Sequence, residues 1–205
     1  MMIPCCDFHT HTITGKYPEL LSTPIPSVAR YRSLEYHPWY LPEKFSPLPE
    51  YIGNTLPDFT ALGEVGLDRL RGPELPVQMQ YLSALLALAQ DCQKPVILHV
   101  VRALPELFSL LKKHHLLWVV HGFRGNAETL DAIWQHGGIV SFHPHAVERR
   151  DLMEKLAVPG GRFGFERDDA DIDLEQVIKT AIDRSGNGDL PQLAAAAFGE
   201  IVSGQ

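Results

Sequence analysis

Two histidines two positions apart, His9 and His11, stand in the segment Asp7-Phe8-His9-Thr10-His11 near the start of the chain. The segment follows the apolar residues of 2–6, and together they predict a first strand that ends in polar side chains. Because alternate side chains of a strand share a face, His9 and His11 can bind a single ion. For this motif alone, two strand histidines without an ion are an equally good explanation.

Four further residues with metal-binding side chains stand at or near the ends of later apolar segments. They are Glu64 in the segment 61–68, His99 in 95–100, His121 after 116–120 and Asp168 after 162–165. A single histidine at a strand end is more often a hydrogen-bonded structural residue, and an aspartate there commonly caps a turn. Their recurrence at successive strand ends favours one shared explanation, which is a metal site.

Four imidazoles and two carboxylates suit zinc, manganese, iron or nickel better than calcium. The ions considered for this chain are zinc, manganese, magnesium and nickel. Six donors exceed what one tetrahedral ion needs, so two divalent ions that share a carboxylate are expected, with Glu64 as the favoured bridge. A water between two ions about 3.5–4 Å apart becomes hydroxide at neutral pH, and the ions stabilise both the attacking and the leaving oxygen. The sequence therefore predicts a hydrolase, and phosphodiester cleavage uses such a pair of ions best.

Several other polar and aromatic residues are candidates for substrate contact. His37 precedes a proline after an early strand, Arg102 follows His99, and His143 and His145 stand at another strand end. Turn stabilisation or surface ion pairs are competing explanations for all four. The adjacent Trp39 and Tyr40 could stack a nucleobase, although an aromatic cover over the core is the preferred interpretation.

The elements that must position these residues alternate between apolar strands and amphipathic helices. The spacing predicts helices over 77–91, 105–111, 127–136, 174–182 and 191–201. This alternation is typical of a parallel sheet covered by helices. Active sites of (β/α) barrels lie at the carboxyl ends of the strands, and no glycine-rich phosphate turn follows the first strand, as an open doubly wound sheet would require. The predicted fold class is therefore α/β, with a TIM-type barrel.

Composition limits the remaining possibilities. The chain has 205 residues, 45% of them hydrophobic, which predicts a single domain over 1–205. No apolar run approaches 18 residues and no signal peptide is evident, so we expect a cytoplasmic protein that does not enter membranes. The three cysteines do not form a disulfide framework. A net charge of −7 argues weakly against nucleic-acid binding through a basic surface, and no obligate protein partner is inferred.

Five motifs of this chain resemble those of the TatD-like metal-dependent hydrolases in the amidohydrolase superfamily. They are Asp7-Phe8-His9-Thr10-His11, Gly63-Glu64-Val65-Gly66-Leu67-Asp68, Pro95-Val96-Ile97-Leu98-His99, His121-Gly122-Phe123-Arg124-Gly125 and Glu166-Arg167-Asp168. The resemblance implies that His9, His11, Glu64 and Asp168 hold one ion and that Glu64, His99 and His121 hold the second. It also implies that Asp168 accepts a proton from the attacking water and that the phosphodiester substrate includes DNA.

Two departures from the family pattern affect these expectations. Only 21 residues separate His11 from Ser33, and the segment is rich in proline. We therefore expect a shortened barrel with seven full strands or a stunted eighth, with residues 20–23 as one very short strand. The ending Glu166-Arg167-Asp168-Asp169 replaces the usual E-T-D-x-P, which leaves the ligand open between Asp168 and Asp169, although spacing favours Asp168.

The leading hypothesis is a dinuclear metal-dependent hydrolase that cleaves phosphodiester bonds, with the deoxyribonuclease activity of the family. A second hypothesis keeps the metal site and assigns an amide, lactone or other ester as the substrate. A third hypothesis is a catalytically silent metal-binding scaffold. Metal analysis of the purified protein, together with hydrolysis of a chromogenic phosphodiester and of single-stranded DNA with and without a chelator, distinguishes the three hypotheses.

Overall fold

A computed structural model of the protein describes residues 5–25, 27–157 and 160–203. Within these residues, parallel strands follow one another in chain order as a closed barrel, so the predicted α/β TIM-type barrel is confirmed. The strands are β1 (Asp7–Thr10), β2 (Glu19–Thr23), β3 (Tyr31–Leu34), β4 (Ala61–Asp68), β5 (Val96–Val101), β6 (Trp118–Phe123), β7 (Ile139–Phe142) and β8 (Phe163–Phe165).

The helices occupy the connections after the third strand. They are α1 (Glu50–Thr55), α2 (Leu75–Asp91), α3 (Leu104–Leu111), α4 (Ala127–Gln135), α5 (Arg150–Met153), α6 (Leu174–Ser185) and α7 (Leu190–Ser203), and short 3-10 turns add to them. None of these helices combines the length and the apolar character needed to cross a membrane.

The strand count decides between the alternatives that the sequence left open. Eight strands form in the described residues, and residues 20–23, expected as one very short strand, belong to β2, which has five residues. The connection from β1 to β2 contains no helix, in agreement with the short spacing. β1 starts at Asp7 rather than in the preceding apolar run, so His9 lies inside the strand. Residues 2–4, which we predicted to open this strand, lie outside the described residues.

The residue contacts divide the chain into two compact units, and the prediction of one domain over 1–205 stays a prediction. The first unit contains residues 5–21 and Val120–Ser203, and the second contains Ser22–Val119.

The first unit is built on β1, β7 and β8. β8 pairs with β1 on one side and with β7 on the other. The ring of Phe8, which is fully buried, packs edge-on against Phe198 of α7 with ring centroids 5.4 Å apart. A Cβ on Gly164 would lie 2.2 Å from that ring, so only glycine allows Phe8 to pack here. Asp173 caps the start of α6, where its side chain accepts the backbone N–H of Glu175.

The second unit is built on β3, β4 and β5, with β4 in the middle. All eight residues of β4 are buried, as expected for the centre of a parallel sheet. The apolar face of α2, which includes Tyr81, Leu82 and Leu85, is buried as well. A Cβ on Gly66 would lie 1.9 Å from the carbonyl oxygen of His99. Glycine at this position therefore brings β4 and β5, with Glu64 and His99, close together.

Candidate functional site

Three of the predicted ligands of the first unit converge on one point. The Nε2 atoms of His9 and His11 lie 3.4 Å apart, and each lies 3.7 Å from Oδ1 of Asp168. Ligand atoms at about 2.0–2.1 Å from a tetrahedral metal ion are roughly 3.3–3.4 Å apart. Three atoms with lone pairs at such distances fit the coordination of one divalent cation.

The backbone fixes this triangle. The backbone N–H of Asp168 donates to the carbonyl of His9 at 3.1 Å, and the N–H of His11 donates to the carbonyl of Asp168 at 3.3 Å. Asp168 has a φ of +57°, a left-handed conformation that aspartate tolerates better than most residues. These bonds place Asp168 directly beside both histidines, whereas Asp169 is exposed.

His121 lies next to this triangle, with its ring centroid 4.3 Å from that of His9. Its Nδ1 lies 3.7 Å from Oε1 of Glu166, which accepts the backbone N–H of Gly122 at 2.6 Å. Glu166 is fully buried, so its carboxyl group interacts with its neighbours in a region of low dielectric. The grouping of His121 with Glu64 and His99 stays a prediction.

A buried arginine stabilises the strand ends around the triangle. Nε of Arg167 donates to Asp7 at 2.7 Å, and its Nη2 donates to Glu19 at 2.9 Å and to the carbonyl of Thr12 at 2.7 Å. Burial raises the pKa of Asp7 to about 7, although the Arg167 guanidinium lowers it. Glu19 in turn accepts the N–H of Gly15 at 2.9 Å. Arg167, which directly precedes Asp168, therefore fixes the helix-free connection from β1 to β2 through Thr12 and Glu19.

The second unit contains another group of potential ligands. Oε2 of Glu64 lies 3.2 Å from Nε2 of His37 and 3.5 Å from Nδ1 of His99. The Glu64 and His37 side chains are almost fully buried. A carboxylate in this position needs positive partners, which a metal ion or imidazole N–H groups can supply. These three residues form a group that could hold a metal ion.

Asp68, which the sequence motif contains but to which we assigned no role, orients His99. Its Oδ2 lies 3.2 Å from Nε2 of His99 and accepts the indole N–H of Trp39 at 2.6 Å. Burial opposes ionisation of Asp68, but the bonds from Trp39, from a backbone N–H and from His99 together lower its pKa. With a proton held on Nε2, His99 presents the Nδ1 lone pair towards Glu64, as metal-binding histidines with a carboxylate partner do. Gln78 bonds both the N–H and the carbonyl of Asp68, at 2.7 and 2.8 Å.

The two histidines that precede prolines have the same local structure. Nδ1 of His37 accepts the N–H of Trp39 at 3.2 Å, and Nδ1 of His143 accepts the N–H of His145 at 3.1 Å. In a neutral ring whose Nδ1 accepts, the proton must be on Nε2. Both rings therefore present an N–H donor, which suits contact with an anion better than metal ligation. Burial, and then the positive charge of Arg124, lower the pKa of His143.

The remaining predicted contact residues are exposed. His145 and Arg102 both lie at the surface. Arg102 directly follows the carboxyl end of β5, and its backbone has a φ of +54°. His143 is buried and lies near Asp168 and Asp169, with one ligand atom of each within 4.8 Å of the others. That His37, His143, His145 and Arg102 contact substrate stays a prediction.

Sequence reasoning missed several polar residues that position the site. They are Glu19, Asp68, Gln78, Glu166 and Arg167. A charged residue within an apolar run indicates Asp68, and a charged residue shortly after a strand indicates Arg167. Glu19 and Gln78 carry no such signal, because their partners are backbone groups and side chains far away in the sequence.

Comparisons with known proteins identify the family. A model of the family described as TatD related DNase matches residues 26–168. A 3′-5′ ssDNA/RNA exonuclease TatD from Pectobacterium parmentieri is 33% identical over 120 residues, which are 53% of this chain but only 45% of that protein. The chain thus spans less than half the length of this relative.

Solved structures share the fold. A TatD homologue from Escherichia coli K12 superposes with a TM-score of 0.74 at 22% identity, over 90% of this chain and 86% of that one. A hydrolase of the TatD family from Entamoeba histolytica superposes with a TM-score of 0.61 at 14% identity, over 75% and 66% of the two chains. The family model covers well over half of the sequence, so this chain belongs to the TatD related DNase family.

Proposed function

We propose that this chain is a metal-dependent phosphodiesterase that removes nucleotides from the 3′ end of single-stranded DNA or RNA. The observation that carries the proposal is the convergence of His9, His11 and Asp168 at spacings that suit a divalent cation. Membership of the TatD related DNase family and the activity named for the Pectobacterium relative support the choice of substrate.

We further propose that two divalent ions, chosen from zinc, manganese, magnesium and nickel, complete the site. His9, His11 and Asp168 would hold one, His99 and His121 the other, and Glu64 would serve both, as the sequence motifs predict. When bound, such ions activate a water molecule and neutralise charge on the phosphoryl oxygens. The location proposed for the enzyme is the cytoplasm, on the basis of its sequence.

The side chains of the chain itself have distinct roles in this proposal. Asp168 accepts a proton from the attacking water, since its carboxylate lies among the ligands. His143 donates its Nε2–H group to a phosphoryl oxygen, because its Nδ1 accepts a backbone N–H group. His37 has the same tautomer, and its Nε2–H donates to the carboxylate of Glu64. Asp68 keeps the His99 ring in a single orientation.

The test begins with metal analysis of the purified protein, followed by cleavage of a 5′-labelled single-stranded oligonucleotide with and without a chelator. We expect a ladder of products shortened from the 3′ end, loss of activity with the chelator and recovery on addition of a divalent metal. Glu64→Gln and His9→Ala should lose activity and metal, whereas His115→Ala, which changes an exposed residue in the loop before β6, should retain both.

Three results would contradict the proposal in different ways. Cleavage that the chelator does not affect would refute metal dependence. Hydrolysis of lactones or amides without cleavage of oligonucleotides or of bis(p-nitrophenyl) phosphate would favour another hydrolase of the superfamily. Metal binding without any hydrolysis would favour a silent scaffold.

A further inference from the structure

An exposed aromatic ring stands beside the Glu64 group of the second unit. The ring of Tyr40 is 78% exposed, and its centroid lies 5.8 Å from that of His37. Because His37 lies 3.2 Å from Glu64, Tyr40 is one side chain away from a proposed metal ligand. An exposed aromatic face at this distance from a reactive centre is available for contact with a substrate.

The turn that carries Tyr40 is held rigidly. Its neighbour Trp39 donates its indole N–H to the buried carboxylate of Asp68 at 2.6 Å, and the indole packs edge-on against the rings of His37 and His99. A Cβ on Gly72 would lie 2.4 Å from the carbonyl oxygen of Pro38, so the loop after β4 lies directly on this turn. Tyr40 is therefore presented from a fixed support, which reduces the entropy lost when a ligand stacks on it.

The loop after β4 also brings positive charge to the ring of Trp39. The guanidinium of Arg71 lies 4.1 Å from the centre of the Trp39 ring, and it has no carboxylate partner within the described part of the chain. Arg69 is paired with Glu106, and its Nε donates to the carbonyl of Arg102 at 2.7 Å, which brings the exposed Arg102 to the same edge. The ring centroids of Trp39 and Tyr40 lie 6.5 Å apart. In a chain with a net charge of −7, the guanidinium of Arg71 therefore adds local positive charge near the exposed Tyr40 ring, which suits a phosphate backbone.

We propose that Tyr40 and Arg71 form a nucleotide-binding subsite, in which one base of a single strand stacks on Tyr40 and its phosphate contacts Arg71. The inference rests on the proposed function and assigns the surface that receives the substrate. Trp39 is the support of the subsite, since its edge and one face are already occupied by Asp68 and Arg71. Base stacking tolerates any sequence, so the subsite selects single strands over duplexes, whose bases are paired and stacked internally.

The test measures binding of a fluorescein-labelled oligothymidylate of about ten nucleotides by fluorescence anisotropy, in EDTA to prevent cleavage. Tyr40→Ala should weaken binding roughly 5- to 150-fold, the range for loss of one base stack, whereas Tyr40→Phe should bind like the wild type. Arg71→Gln should weaken binding and lower the salt dependence by about one phosphate contact. Tyr51→Ala is the matched control, because Tyr51 is a 54% exposed tyrosine on α1, and its loss should change nothing.

The outcomes separate this inference from the proposed function. Equal affinity of the wild type, Tyr40→Ala and Arg71→Gln would overturn the subsite and leave the proposed function intact. Wild-type protein that hydrolyses bis(p-nitrophenyl) phosphate with metal but binds neither the oligothymidylate nor the same strand in a duplex would overturn the nucleotide subsite. Tighter binding of the duplex would also overturn it. Absence of both hydrolysis and binding would refute both.

Discussion

Replacement of Arg167 by methionine should destabilise the protein strongly. The substitution keeps most of the apolar stem and removes the guanidinium that bonds Asp7, Glu19 and the carbonyl of Thr12. Arg167, Asp7 and Glu19 are all at most 6% exposed. Breaking a buried ion pair by removal of one partner costs about 3–5 kcal/mol, a large part of the roughly 5–15 kcal/mol that stabilises an average domain.

The measurement is thermal or urea unfolding followed by circular dichroism, in EDTA so that bound metal does not contribute. For a chain of this size each kcal/mol lowers the melting temperature by about 2–4 °C, so Arg167→Met should melt roughly 6–20 °C lower. Arg184→Met is the matched control. Arg184 pairs with Glu148 at 3.1 Å, with side chains 41% and 61% exposed, and an exposed pair contributes less than about 1 kcal/mol.

The loss should also depend on pH. Burial raises the pKa of Asp7 to about 7 in the presence of Arg167, and removal of the guanidinium raises it further. The folded variant then binds a proton that the unfolded chain, with an ordinary aspartate pKa, releases above about pH 4. Its unfolding free energy therefore falls as the pH rises from 5 to 8. A loss no larger than that of Arg184→Met, or one that is the same at both pH values, would refute this reasoning.

Three further predictions concern single residues of the two units. Because the pKa of His143 is lowered in the folded state, the unfolded chain takes up a proton at this residue at a higher pH than the folded chain does. The unfolding free energy of the wild type in EDTA should therefore decrease as the pH is lowered from about 6.5. Urea titrations should show a smaller decrease for His143→Gln, and identical pH profiles of the two proteins would contradict this. Asp68→Asn should weaken metal binding about 10- to 100-fold by titration calorimetry, whereas the exposed Asp58→Asn should not; equal affinities would mean that Asp68 does not orient its histidine. Gly66→Ala forces a Cβ to within 1.9 Å of a carbonyl oxygen and should cost at least about 1–3 kcal/mol in thermal melts, while Gly53→Ala, with 3.8 Å of clearance, should melt within a few degrees of the wild type.

Much of the fold follows from local sequence patterns. The strand Ala61–Asp68 and the end of α2 at Asp91 are recovered at their observed positions, because an uninterrupted apolar run and a helical period are local signals. The predicted start of the helix at 127 is also correct, since the side chain of Asn126 caps α4 by accepting the N–H of Thr129. The short strand expected at 20–23 is found as β2, and it completes a barrel of eight strands within the described residues.

The candidate site was predicted in part. The spacing of His9 and His11 predicts that their side chains lie on one side, and their Nε2 atoms do lie 3.4 Å apart, although His11 follows the end of β1. The partners of Arg167 and Gln78 could not be predicted, because their hydrogen bonds join residues distant in sequence or reach backbone groups, which leave no residue-type pattern. The choice between Asp168 and Asp169 depends on the left-handed conformation of Asp168, which neighbouring residue types do not reveal.

The repeated His-Pro turn has a use beyond this protein. His37 and His143 each accept a backbone N–H two residues ahead through Nδ1, so the tautomer is set within three consecutive residues and needs no carboxylate behind the ring. A designer could therefore graft His-Pro-x onto the end of a strand in an unrelated scaffold and obtain an imidazole N–H of known direction. In an engineered barrel, the turn alone would determine that the imidazole carries its proton on Nε2, where it can donate to an anion.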